Sequence, residues 1–177
     1  MTTDTERIPP HFPQAERSVI GSALLYADRS LAQSLGLRGD EFMLPAHRDA
    51  WEAVRSAERK PGGLVDILTV GAEVRAAGLD ARFDGGWQTW AVGVAKDGCL
   101  PEHVSRYAGM IREACAARKL IALCAELQAR AYGGAAWPEL LEQARAGIGE
   151  LETAGADSNT THVYGPMVEV LDELDRR

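Results

Sequence analysis

Apolar residues recur along this chain at helical spacing. Val19, Ile20, Ala23 and Leu24 share one face of a helix expected from about Gln14 to Leu25, with Pro13 suited to its first turn. A short segment around Ser30 to Leu35 follows. Pro45 opens a helix to about Arg59 whose stripe is Ala50, Trp51 and Val54, and Lys60-Pro61-Gly62-Gly63 stops it. Asp66 is a good N-cap for a helix carrying Ile67, Val70 and Val74, and Gly78 sits where a left-handed residue closes it. After Asp84-Gly85-Gly86, Trp87 to Ala95 reads as a further short helix.

The second half is simpler. Pro101 begins a helical pattern that meets no breaker until Tyr132, and Gly133-Gly134 ends it. Pro138 then starts a helix with Leu140, Leu141, Ala144, Ile148 and Leu151 on one side, so the pair reads as a helical hairpin with a tight glycine turn. Thr153 to Gly165 has linker composition, and Pro166 starts a last amphipathic piece with Val168, Val170, Leu171 and Leu174 apolar. The fold expected is all-α: a small orthogonal helical bundle, a long antiparallel hairpin and the start of a linker helix. Its segments are an extension over 1–12, the bundle over 13–98, the hairpin over 99–152, a linker over 153–165 and the linker helix over 166–177.

Composition agrees, with Ala, Leu, Glu and Arg dominant and strand formers scarce. The 26 acidic residues outnumber the 19 basic ones, and a net charge of −7 opposes the phosphate neutralisation that carries nucleic-acid affinity, so little direct DNA binding is expected. No apolar run approaches a membrane span and the amino terminus lacks a signal-peptide core, which makes a cytoplasmic protein the expectation. Cys99, Cys115 and Cys124 lack disulfide or zinc spacing and read as reduced, mostly packed thiols. His11, His47, His103 and His162 show no metal-site spacing, no catalytic constellation emerges, and the polar residues read as surface. Trp87 and Trp90 have no basic neighbours and read as packing residues rather than a base-stacking platform.

Five segments carry a resemblance. IPPHFPQAERSVIGSALL (Ile8 to Leu25), EFMLPAHRDAWEAV (Glu41 to Val54), VDILTV (Val65 to Val70), the Gly85-Gly86 pair and YAGMIREACAARKLI (Tyr107 to Ile121) follow one another in the order found in the amino-terminal collar domain of DnaB-type replicative DNA helicases. The chain departs from that pattern in a Trp- and Gly-rich stretch over Trp87 to Gly98 and in lacking an Asn ahead of the YA-xx-IRE segment. The family's motor carries a Walker A sequence, and no G-x-x-x-x-G-K-[ST] occurs here, so the chain is expected to have no catalytic site or cofactor of its own. ATP and Mg would belong to a parent motor domain.

The resemblance implies self-assembly into a dimer or hexameric ring, docking of a DnaG-type primase or a loader, and tethering of the motor domain. The contact residues expected are Tyr107, Ile111, Arg118, Ile121 and Glu126 on the hairpin, and Val170, Leu171 and Leu174 on the linker helix. On the long helix Ala116, Ala117, Leu120, Ile121, Ala122, Leu123, Cys124, Ala125 and Leu127 cover more circumference than the roughly 100° stripe one partner helix buries. Either the rest of the chain or another subunit must cover the excess, and the family favours a subunit. The alternative to a collar is a free-standing regulator, loader or inhibitor, of a resident helicase; an unrelated helical enzyme is a third reading.

Overall fold

The computed structural model describes residues 8–26 and 31–156, with side chains up to 153. Among them are seven α-helices, two 3-10 turns and no strand. The helices are α1 (Pro13–Leu25), α2 (Leu31–Leu35), α3 (Pro45–Glu58), α4 (Ile67–Ala76), α5 (Gly86–Ala95), α6 (Pro101–Tyr132) and α7 (Trp137–Ala156). The expected linker helix over 166–177 lies outside the described residues. The chain forms two compact units, one up to residue 122 and one from 123 onward, and α6 runs through the boundary.

Local chemistry sets the helix limits. Pro13 and Pro45 stand in the first turns of α1 and α3, where a missing N–H leaves nothing unsatisfied. Asp66 caps α4 by accepting from the N–H groups of Leu68 and Thr69, and Thr69 Oγ1 in return accepts from the Asp66 N–H. At the other end Gly78 takes φ +69, and the Gly78 and Leu79 N–H groups reach back to Arg75 and Val74 carbonyls. The same closure ends α6: Gly134 takes φ +82, with Gly134 N–H to Ala131 and Ala135 N–H to Arg130.

The core of the first unit lies where α1, α3, α4, α5 and the first half of α6 meet. Val19, Ile20, Trp51, Val54, Val70, Val74, Trp87 and Val94 are fully buried. The indole N–H of Trp51 donates to the Leu37 carbonyl at 2.9 Å and that of Trp87 to Ile67 at 2.8 Å, so neither ring buries an unpaired donor. Phe83 meets Trp87 edge-on with centroids 5.1 Å apart, and the half-buried Trp90 lies 5.6 Å from Trp87. Both tryptophans pack, as their neighbours in sequence imply.

Two features differ from expectation. The bundle does not stop at 98, because Val104, Ala108, Ile111 and Cys115 form one buried stripe along α6 that completes its core. And His47 is not a surface residue: its Nδ1 lies 2.7 Å from Glu16 Oε2, and both side chains are buried. The Glu16 carboxylate also accepts the Met43 N–H at 2.8 Å, so it ties α1 to the start of α3, where the helix dipole favours a negative charge.

Where α1 meets α5 the backbones touch. A Cβ on Gly21 would stand 2.4 Å from the Val94 carbonyl oxygen and 2.8 Å from the Gly98 nitrogen, whereas one on Gly93 of α5 would meet nothing within 4 Å. Gly21→Ala is therefore expected to destabilise the fold by about 3 kcal/mol, and Gly93→Ala to leave it unchanged or stabilise it by up to about 1 kcal/mol. Urea denaturation of the two variants checks this, and equal midpoints would contradict the close approach.

The Asp66 cap carries a pH dependence. Hydrogen bonding to the Thr69 N–H, with contributions from the Thr69 hydroxyl and Leu68 N–H, holds the Asp66 carboxyl below its ordinary value against the opposing pull of burial. A carboxyl lowered by folding stabilises above its unfolded pKa, and that contribution is lost as pH falls through the folded one. Asp66→Ala is expected to cost about 1 kcal/mol at neutral pH, with the gap to wild type closing below about pH 4. Denaturation curves at pH 7 and pH 3 read it directly.

Candidate protein-interaction surface

Among the described residues, the second unit holds the end of α6 and the whole of α7. Of the described side chains from 123 to 153, none is buried. Tyr132 is 86% exposed and Trp137 72%, flanking the glycine turn, and Ile148 is 48% exposed. A helical pair that leaves aromatic and branched side chains in water is characteristic of a face awaiting cover. Helix α7 also runs to Ala156, beyond the expected end at 152, with the Thr153 hydroxyl bonded back to the Gly149 and Glu150 carbonyls.

Two kinds of contact join the helices. Gly147 of α7 admits Leu123 of α6: a Cβ at 147 would stand 2.7 Å from both Leu123 Cδ atoms. Beside it runs a polar ladder. Gln143 accepts at Oε1 from Arg130 and donates through Nε2 to Glu126 at 2.6 Å, and Arg130 also donates to Glu139 at 3.3 Å.

The residues expected to make contacts divide. Ile111 is 2% exposed and belongs to the first unit's core, and Tyr107 is half-buried against that core. The Arg118 guanidinium donates to the carbonyls of Pro10 at 2.9 Å and Glu41 at 2.6 Å, pinning the amino-terminal strap and the turn before α3 to α6. These three are held by their own unit, because α6 enters the bundle more deeply than its sequence periodicity implies. Ile121 is 52% exposed, and Glu126 is exposed and belongs to the ladder. Val170, Leu171 and Leu174 lie outside the described residues.

Sequence reasoning missed Tyr132 and Trp137, although two aromatics beside a Gly-Gly turn, too short to bury them, were the available signal. It also placed the thiols too deep. Cys115 is buried, and burial pushes its thiol above the ordinary value, while Cys99 is half-buried and Cys124 exposed. No group of three or more metal-ligating side chains occurs among the described residues, and no helix there is long and apolar enough to cross a membrane.

A model described as DnaB-like helicase N terminal domain matches residues 8–113. The chain is 26% identical over 175 residues to the replicative DNA helicase DnaB of Mycobacterium leprae, and 25% identical over 162 residues to that of Pasteurella multocida. It is covered over 97% and 90% of its length in these matches but spans only 28% and 33% of those proteins. Among solved structures, the N-terminal domain of DnaB helicase from Mycobacterium tuberculosis superposes with a TM-score of 0.71 at 25% identity, over 81% of this chain and 99% of that one. A DnaB-like replicative helicase, solved in a study of its interactions with primase, superposes at 0.66 with 20% identity over 93% of this chain and 36% of that one, a likeness of fold.

The ladder invites a direct measurement. Gln143→Ala removes a bond on each side, and an exposed polar network contributes on the order of 1 kcal/mol. Amide exchange across α7 is expected to accelerate about five-fold, with the first unit unaffected; unchanged exchange would mean the ladder does not hold the pair.

Proposed function

The chain belongs to the DnaB-like helicase N-terminal domain family, and on that basis we propose that it is a non-catalytic assembly and docking domain acting in DNA replication. Its role is to bring helicase subunits together and to offer primase or a loader a surface beside the motor. The observation that carries this reading is the second unit, in which no described side chain is buried while Tyr132, Trp137 and Ile148 stand in water. A face of that kind is used by covering it, and the economical cover is a second copy of the same hairpin, which brings an equal face of its own.

Primase docking is supported by the solved relative studied with primase, whose fold this chain shares. The family's catalysis resides in a motor with a phosphate-binding loop, and this sequence contains no G-x-x-x-x-G-K-[ST]. The domain is therefore the part that positions rather than the part that turns over nucleotide. Its acidic balance fits a protein-facing role, since a net charge of −7 disfavours gripping phosphates directly.

Multi-angle light scattering tests the reading. The purified chain is expected to show a mass that rises from monomer toward dimer or larger between about 1 and 100 µM, a range set by micromolar association. Adding a DnaG-type primase should produce a heavier species. A monomer at every concentration that also ignores primase would overturn the proposal.

A further inference from the structure

Leu123 packs over Gly147 and so marks the line where α6 and α7 touch. An α-helix turns about 100° per residue, which places the other side chains relative to that line. Round α7 from Gly147, Gln143, Glu150, Glu139 and Glu142 lie to one side by about 40° to 140°, and Leu151, Ala144 and Ile148 to the other by about 40° to 100°. Round α6 from Leu123, Arg130 and Glu126 lie to one side by about 20° and 60°, and Leu127 and Cys124 to the other by about 40° and 100°. The ladder joins Arg130 and Glu126 to Gln143 and Glu139, so the polar sides of the two helices coincide and the opposite side is an apolar groove.

We infer that this groove is covered part of the time by the chain's own segment 167–174, so that the chain restrains its own association. This concerns the regulation of the proposed self-association and rests on it. The segment lies outside the described residues, and its sequence fits the groove in three respects. Met167, Val170, Leu171 and Leu174 stand at i, i+3, i+4 and i+7, one apolar stripe that spans about 10 Å as a helix, the same length as Ala144 to Leu151 on α7. Nine residues, 157–165, lie between the end of α7 at Ala156 and Pro166. They reach up to about 30 Å, whereas turning back from Ala156 to Ile148 takes about 12 Å. Glu169, Asp172 and Glu173 oppose the stripe, so the glutamates of the ladder side repel the segment, while the groove is edged by Arg145 and Glu152, whose charges cancel. A tether this short presents the segment at an effective concentration near millimolar, above the micromolar range of the proposed association. A helix of fewer than about 12 residues is marginal in water, which keeps the cover partial. A cover in place about two-thirds of the time leaves the groove open for about one-third, and because both copies must be open to pair, association weakens about ten-fold.

Cys124 at the edge of the groove reports the cover, because it is the exposed thiol, whereas Cys115 is buried and Cys99 half-buried. Two measurements on the full chain test the inference: alkylation of Cys124, followed by mass spectrometry in a sample dilute enough to be monomeric, and association by sedimentation equilibrium. Wild type is compared with the double variant Leu171→Asp, Leu174→Asp, which removes the apolar stripe, and with Glu173→Gln on the opposite face of the segment. The double variant is expected to label Cys124 about three-fold faster and to associate about ten-fold more tightly, the second change being about the square of the first. Glu173→Gln is expected to change either quantity by less than about two-fold. Equal labelling of Cys124 in wild type and the double variant would overturn the cover, as would weaker association of the double variant, which would mean that the segment works between copies. Faster labelling in a double variant that stays monomeric at every concentration, as wild type also does, would keep the cover and remove the self-association on which its regulatory role rests.

Discussion

Two helices packed only on each other cannot take their apolar side chains out of water, because each covers a narrow stripe of its neighbour and leaves the rest exposed. That constraint governs the second unit of this protein. Leu123 over Gly147 is a close apolar approach between α6 and α7, the ladder supplies polar bonds at its side, and no described side chain there is buried. The face that remains among the described residues is apolar and open, and the proposed function assigns its cover to another molecule.

The first unit has no such need. Trp51 and Trp87 have partners for their indole N–H groups, its buried carboxylate has a histidine and a backbone donor, and the first half of α6 closes the bundle. One helix thus serves two environments: buried at every third or fourth position as far as Cys115, then without a fully buried residue through Tyr132. This division suits an assembly domain, in which a self-sufficient part keeps its shape while an incomplete part waits for its partner.

Much of the fold was legible in the sequence because proline, glycine and capping residues act locally. Pro45, Asp66, Gly78 and the Gly133-Gly134 pair each fixed a helix boundary by chemistry confined to a few neighbouring residues, and the structure places those boundaries within a residue of expectation. What was not legible depends on distant partners. Periodicity identifies α6 as one helix but does not say how far the bundle climbs along it, so neither the burial of Ile111 nor the reach of Arg118 to Pro10 and Glu41 could be read from it. His47 was missed for the same reason, since its partner Glu16 lies 31 residues away. Within the hairpin the apolar face of α7 was legible, and the ladder that sets its opposite side was not, because a Gln between two charged residues has no signature in one dimension.

The central claim is that the surface of residues 123–156 is completed between molecules. Amide hydrogen exchange of the same chain at two concentrations, one well below and one well above the association midpoint, measures that completion residue by residue. The account predicts that α7 and the end of α6 exchange fast in the dilute sample and markedly slower in the concentrated one, while α1, α3, α4 and α5 are equally protected in both. Protection of the hairpin that is the same at both concentrations would contradict it.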